Sequence, residues 1–255
     1  IAEGGKPHFL TRGHGGNQPG PVRVDPSQHD ASAIGDEAML LAEIAPCWVA
    51  RNRADGACAA VDAGARCIIM DDGFQNPGLA KDLSLVVIDG GFGFGNGCII
   101  PAGPLRENLS AGIRRADAAI LIGGDTSNTE RKLGSQLPVL HARCVPAPET
   151  PSFAGRSVVA FAGIGRPEKF FASLRETGCD LKAIHGFPDH HVFAPEEIAA
   201  IVEQAAALDA VAITTAKDAV RLPEDAPNMI QVFHVGLEWD ALDDISALVR
   251  RAVAG

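Results

Sequence analysis

The feature that most constrains the fold is the alternation, along the whole chain, of short apolar runs with longer segments of helical periodicity. Short apolar runs bounded by turn-forming residues are typical of strands buried on both faces of a sheet. When such strands alternate with helices, the expected architecture is a mostly parallel sheet built from βα units. We therefore predict an α/β fold.

The periodicity also predicts where the elements lie and where the chain divides. A proline-rich stretch at 144–155, CVPAPETPSFAG, is typical of a linker, and the alternation restarts after it. We predict two α/β lobes, 1–150 and a smaller one, 151–255. The predicted strands are 8–11, 47–50, 66–71, 84–89, 118–122, 138–143, 157–162, 181–185, 210–215 and 230–235, and the predicted helices are 36–45, 54–64, 129–135, 167–177, 195–208 and 240–253.

Charge and composition exclude several classes of protein. The formal net charge is -10 and the pI is about 5.2, so the chain has no basic field to meet nucleic acid. No apolar run approaches the roughly 20 residues that a membrane-spanning helix needs. The six cysteines show no CxxC spacing, which favours buried thiols in a reducing compartment.

Two adjacent carboxylates follow a buried strand in RCIIMDDGFQNPGL (66–79). In nucleotide-binding α/β proteins, a carboxylate at the carboxyl end of a strand holds Mg²⁺ against phosphates. Asp71 and Asp72 are therefore candidate metal ligands. The alternative is that Asp72-Gly73 is a simple turn and Asp71 caps the next element.

A second acidic pair opens a predicted helix in AIGDEAMLLAEIA (33–45). Asp36 and Glu37 could serve as a general base and a metal ligand if they face the same cleft as Asp71. The alternative is that Asp36 only caps the helix.

Three further segments place polar side chains after strands. Arg12 lies in the glycine-rich TRGHGG, where it could pair with phosphate, and Lys217 in ITTAKDAVRL could do the same. In GFPDHHVFAPEEI, Asp189 beside His190 is a candidate carboxylate–imidazole pair. Exposed loops and a solvated lysine are the alternatives.

Taken together, these segments resemble the tetraacyldisaccharide 4′-kinase family. The matching pieces are LTRGHGG, GDEAMLLA, DDGFQNPGLAKDLSLVVIDG, GFGNGCIIPAGPLRE, FAGIGRPEKFF, FPDHHVF and TTAKDAVRL, in the family's order over nearly the whole chain. The resemblance implies a P-loop-NTPase-like lobe and an enzyme at the cytoplasmic face of the bacterial inner membrane, in peripheral contact with it. Such an enzyme transfers the γ-phosphate of ATP to the 4′-hydroxyl of a lipid A disaccharide precursor.

The resemblance also implies roles for these residues. Asp36 would be the catalytic base, with His190 pairing with it across the lobe interface and Asp189 behind the histidine. The first lobe would bind nucleotide and metal, and the second would close over the cleft. Asp71, Asp72 and Glu37 would lie at Mg²⁺, and the cleft would be lined by Arg12, Gln75 and Arg106.

One family motif has no counterpart here. The phosphate-binding string GxxxxGK[ST] is absent from the 255 residues. We expect the family's first strand, this loop, its first helix and a membrane-associated segment to lie upstream of Ile1, and we expect little kinase activity from the 255 residues alone. The alternatives are another P-loop-related ATPase or GTPase, or a non-catalytic remnant.

Overall fold

The structure is a computed structural model and describes residues 5–223 and 226–254. Its strands are β1 (Pro7–Thr11), β2 (Val22–Arg23), β3 (Cys47–Val49), β4 (Cys67–Met70), β5 (Leu85–Asp89), β6 (Ala118–Ile122), β7 (Val139–Pro146), β8 (Ser157–Ala162), β9 (Asp180–Gly186), β10 (Val211–Thr215), β11 (Ile230–Phe233) and β12 (Val235–Trp239). Its helices are α1 (Ala31–Ile34), α2 (Asp36–Ile44), α3 (Arg53–Asp62), α4 (Leu109–Ile113), α5 (Thr129–Leu133), α6 (Pro167–Glu176), α7 (Pro195–Ala207), α8 (Ala216–Ala219) and α9 (Leu242–Ala254). The alternation and the parallel pairing confirm the predicted α/β class.

The chain divides into two compact units, and the division differs from the single boundary predicted near residue 150. The first unit combines Lys6–Asp72 with Pro146–Val235, and the second combines Gly73–Val145 with the chain from Gly236 onward. The reason lies in helix packing, because α2 from the N-terminal part packs against α8 from the C-terminal part. One of the crossings between the units, at residues 145 and 146, falls inside the predicted linker.

Two four-stranded sheets form the first unit. One has the order β2-β3-β1-β4, in which Leu10 of β1 pairs in parallel with Trp48 and Met70, and β2 is antiparallel to β3. The other has the order β11-β10-β8-β9 and is parallel throughout. In β8, Val158 to Ala162 are all buried, as expected for a central strand covered by helices on both faces.

The second unit is built on the sheet β12-β7-β6-β5. β6 pairs in parallel with β5 and β7, and its residues from Ala118 to Leu121 are buried. Ile88, Leu121 and Leu133 belong to the core cluster on one face, and Ala118 and Ile245 belong to a cluster that includes α9. Among the described residues, no helix combines the length and the hydropathy that crossing a bilayer would need.

Candidate active site

The first unit presents Asp36 as the opening residue of α2. Gly35 is the N-cap, with φ 90° and ψ 145°, and a Cβ at this position would overlap the carbonyl oxygen of His14. Glycine is therefore required at this turn. The Asp36 carboxylate does not cap its own helix, so the alternative reading of this residue as a cap is wrong. It is instead buried, with 2% of its surface exposed.

His190 is the partner of that carboxylate. Its Nδ1 lies 3.0 Å from Oδ2 of Asp36, although the two residues are 154 positions apart in the sequence. His190 has a positive φ of 58°, and its backbone N–H donates to the Gly163 carbonyl at 3.0 Å. Left-handed backbone in a non-glycine residue is costly and often marks a functional site. The two residues come from the two predicted lobes, 1–150 and 151–255, but both belong to the first compact unit of the structure, so their contact lies inside that unit.

Asp189 makes a different contact from the one expected. Its Oδ2 lies 3.8 Å from Nε2 of His190, beyond hydrogen-bond distance, and its Oδ1 accepts the backbone N–H of His190 at 3.1 Å. The carboxylate that orients the imidazole is therefore Asp36. With Asp36 ionised, Nδ1 carries the proton and donates it, because a carboxylate can only accept.

Lys217 connects these groups to Glu37. Its Nζ lies 2.9 Å from Oε1 of Glu37, 3.4 Å from Nε2 of His190 and 3.9 Å from a carboxylate oxygen of both Asp36 and Asp189. The ammonium is therefore surrounded by carboxylates. A role at phosphate remains a prediction for this residue.

The environment separates the acidities of the two neighbouring acids. Burial raises the pKa of Asp36, the adjacent Glu37 raises it further, and Lys217 and His190 offset this only in part. Burial also acts to raise the pKa of Glu37, but hydrogen bonds with Asp36 and Lys217 outweigh it and lower that pKa to about 2. Two acids whose pKa values are driven apart are typical of sites in which one group exchanges protons and the other stays ionised.

Sequence reasoning missed two residues of this cluster, Arg221 and Asp218. Asp218 is completely buried, and the Arg221 side chain is 6% exposed. The Arg221 guanidinium pairs with the Asp218 carboxylate, and its Nη1 lies 3.4 Å from Oδ2 of Asp36. Asp218 also accepts the backbone N–H of Gly163 at 3.1 Å. The segment ITTAKDAVRL contains both residues, and the spacing of three positions between the opposite charges of Asp218 and Arg221 was the available signal for their pairing.

A second polar group lies at the end of β4. Thr11 donates its hydroxyl to Oδ2 of Asp71 at 3.1 Å. The buried Arg53, also missed from the sequence, has a pKa lowered first by burial and then by Arg12, while Asp71 and Asp72 act in the opposite direction. Asp72 itself has φ 48°, a turn conformation. The structure thus brings both candidate metal ligands near two arginines.

One group among the described residues has metal-ligand geometry. Asp36, Glu37 and His190 each offer an atom, and these atoms lie within 4.8 Å of one another. Oε2 of Glu37 is buried and has no hydrogen-bond partner among the described residues, so its capacity as an acceptor is unused there. The assignment of Asp71 and Asp72 as metal ligands remains a prediction.

Gln75 and Arg106 belong to the second unit. Gln75 donates to Oε1 of Glu107 at 3.0 Å, and Arg115 pairs with the same carboxylate at 2.6 Å. Gln75 and Arg106 also line a largely apolar cavity of about 160 Å³. Their predicted role in lining the nucleotide cleft remains a prediction.

The chain is similar to one family of known proteins over nearly its whole length. The family model described as tetraacyldisaccharide-1-P 4′-kinase matches residues 1–253. A tetraacyldisaccharide 4′-kinase of Paramagnetospirillum magneticum is 55% identical over 252 residues, covering 98% of this chain and 78% of that protein. The enzyme of Rhodospirillum centenum is 51% identical over 249 residues, covering 97% of this chain and 74% of that protein.

A solved structure shares the fold. It is LpxK from Aquifex aeolicus in complex with ATP, with a TM-score of 0.77 and 24% identity over 99% of this chain and 80% of that one. The family model and the relatives together cover almost every residue that carries the site described above. The chain therefore belongs to the tetraacyldisaccharide-1-P 4′-kinase family.

Proposed function

We propose that this chain is the catalytic body of an ATP-dependent kinase that phosphorylates the 4′-hydroxyl of a tetraacyldisaccharide 1-phosphate, a precursor of lipid A. The observation that carries the proposal is the buried Asp36, held on one oxygen by His190 and faced by the cations Lys217 and Arg221. Phosphoryl transfer depends on positioning, charge stabilisation and a base more than on covalent chemistry. This cluster supplies the base.

In the proposed reaction, Asp36 accepts the proton of the acceptor hydroxyl as that oxygen attacks the γ-phosphorus of ATP. The elevated pKa of Asp36 suits this exchange, because a general base works best when its pKa approaches the working pH. His190 fixes the orientation of the carboxylate by its hydrogen bond to Oδ2. Lys217 lies between Glu37 and Asp36 and limits the accumulation of negative charge.

Glu37, Asp71 and Asp72 would hold Mg²⁺. The fit is supported by the unpartnered, buried Oε2 of Glu37 and by the carboxylate oxygens after β4, since Mg²⁺ prefers oxygen ligands. When bound, Mg²⁺ supplies charge neutralisation at the phosphate oxygens. Arg12, which follows β1, would contribute positive charge to phosphate binding.

The acylated acceptor supports a peripheral contact with the cytoplasmic face of the inner membrane, because such a lipid resides in a bilayer. Co-sedimentation with vesicles of phosphatidylethanolamine and phosphatidylglycerol tests this. Binding to vesicles that contain the acceptor, compared with vesicles without it, separates recognition of the substrate from adsorption to the lipid surface.

The kinase proposal is tested with Asp36→Asn in the longest open reading frame that contains this chain. We expect kcat for transfer from ATP to the disaccharide acceptor to fall by about 10²- to 10⁴-fold, the usual contribution of a general base. His190→Asn should lower kcat as well, without a comparable rise in KM for ATP. ATP hydrolysis that proceeds equally well with and without the acceptor would indicate a different enzyme.

A further inference from the structure

The side chain of Arg221 is buried, and its hydrogen bonds use only part of the guanidinium. Its side chain is 6% exposed. Nη2 donates to the Gly163 carbonyl at 2.9 Å and to the Asp218 carboxylate. Nη1 and Nε have no hydrogen-bond partner among the described residues, yet Nη1 lies 3.4 Å from Oδ2 of Asp36. The Nη1 end of the guanidinium therefore faces the candidate base.

Three groups converge on the same oxygen of that base. His190, Arg221 and Lys217 approach Oδ2 of Asp36 at 3.0, 3.4 and 3.9 Å. Charges in a site this buried interact more strongly than they would in water. All three groups therefore engage Oδ2, and none of these three contacts reaches Oδ1.

The position of Arg221 is itself fixed by other contacts. Asp218 accepts from Arg221, from the Gly163 N–H at 3.1 Å and from the Thr215 hydroxyl at 2.7 Å. Asp218 is completely buried. The guanidinium is therefore held by a residue of α8 and by the backbone after β8, and it cannot move away from Asp36 without breaking these bonds.

Resting on the proposed kinase function, we propose that Arg221 is a positioning residue for phosphoryl transfer. Its guanidinium holds Oδ2 of Asp36 so that Oδ1 is presented to the acceptor hydroxyl. Arg221 thus acts through Asp36 and makes no contact with the reacting atoms. A purely structural arginine, which only joins α8 to the turn after β8, would affect folding and leave the turnover of folded enzyme unchanged.

The test is a double-mutant cycle in the longest open reading frame that contains this chain. The variants are Arg221→Gln, Asp36→Asn and the two combined, with Arg221→Lys as the conservative variant and Arg175→Gln, an exposed arginine on α6, as the control. We expect Arg221→Gln to lower kcat about 10²-fold, as a small misplacement of a catalytic group does, and to leave KM for ATP and for the acceptor unchanged. Arg221→Lys should recover most of kcat.

The combined variant decides the question. If Arg221 acts through Asp36, Arg221→Gln causes no further loss of kcat when Asp36 is already Asn, because residues that act as a unit are not additive. Equal losses in the two backgrounds, or wild-type kcat in Arg221→Gln, would overturn the proposal. The kinase proposal has its own readout, because it fails if ATP hydrolysis by the wild-type protein proceeds equally well with and without the acceptor, whatever Arg221→Gln does.

A second double-mutant cycle measures the contact between Arg221 and Asp36 from protein stability, without any kinase assay. Arg221→Gln should lower the urea midpoint less in the Asp36→Asn background than in the wild-type background. In the Asp36→Asn background the guanidinium has no carboxylate to hold. Midpoint shifts that simply add would show that the two side chains do not interact, and would overturn the proposal even in a protein without measurable kinase activity.

Discussion

Gly35→Ala tests the geometry on which the candidate base depends. Gly35 has φ 90° and ψ 145°, a region that is essentially closed to residues with a side chain. An added Cβ would overlap the carbonyl oxygen of His14 and would lie 3.2 Å from the Gly13 carbonyl carbon. Backbone atoms cannot rotate away as a flexible side chain can. The chain must therefore shift at the point where α2 begins and Asp36 is presented.

A matched control separates the loss in the free energy of unfolding into two parts. Gly64 has φ 93°, almost the same as Gly35, but a Cβ there would have nothing within 4 Å. Gly64→Ala should therefore cost only the backbone strain, about 1–3 kcal/mol. Gly35→Ala should cost that strain and about 1–3 kcal/mol more for overlap with its neighbours, a total of about 2–6 kcal/mol.

Urea unfolding of both variants measures these free energies, and kinase assays on the folded proteins measure the consequence for the site. We expect kcat of Gly35→Ala to fall by about 10²-fold, because a displacement of about 1 Å at a reacting group has that effect. Gly64→Ala should retain wild-type kcat. Equal free energies of unfolding for the two variants would refute the argument from overlap, and wild-type kcat in Gly35→Ala would refute the link to Asp36.

Three further predictions follow from the site and the sequence. The pKa of Asp36 is raised in the folded state, so ionisation of this carboxyl opposes folding at pH values above its unfolded-state pKa. Asp36→Asn should therefore raise the urea midpoint at pH 8 relative to wild type, and the difference should vanish below about pH 4. Glu37, with its pKa lowered to about 2, contributes stability that is lost as the pH falls from about 4.5 to 2. Lys217→Met should reduce this loss of stability, as measured by urea unfolding at each pH. The 255 residues alone should show little phosphate transfer from ATP, since they contain no GxxxxGK[ST] string, and normal turnover by this chain would contradict the proposed need for that loop.

Regular local patterns predicted most of the elements. The strands predicted at 118–122 and 157–162 agree with β6 and β8 to the residue, and helix 36–45 differs from α2 only at its last residue. The two strands are short apolar runs bounded by turn-forming residues, and the helix has apolar residues at helical spacing, so each pattern favours one kind of element. The sequence analysis missed β2, β12, α1, α4 and α8, which are short or lack such a period.

The contacts of the site were predictable only in part. The pairing of Asp36 with His190 was implied by family resemblance, and the structure brings their side chains together. Arg53 and Arg221 were not singled out, because an arginine in a sequence carries no sign of whether it is buried. Burial is decided by residues far away in the chain, such as Gly163 for Arg221, whose carbonyl accepts from the guanidinium.

The sequence by itself determined the α/β class, the order of the elements and the family, because periodicity and short motifs are local properties of the chain. Only the tertiary structure decided that α2 packs against α8, that the chain passes repeatedly between two units, and that Arg221 faces Asp36. These depend on which distant surfaces bury each other. The energy of a buried charge likewise depends on neighbours that the chain brings together only on folding.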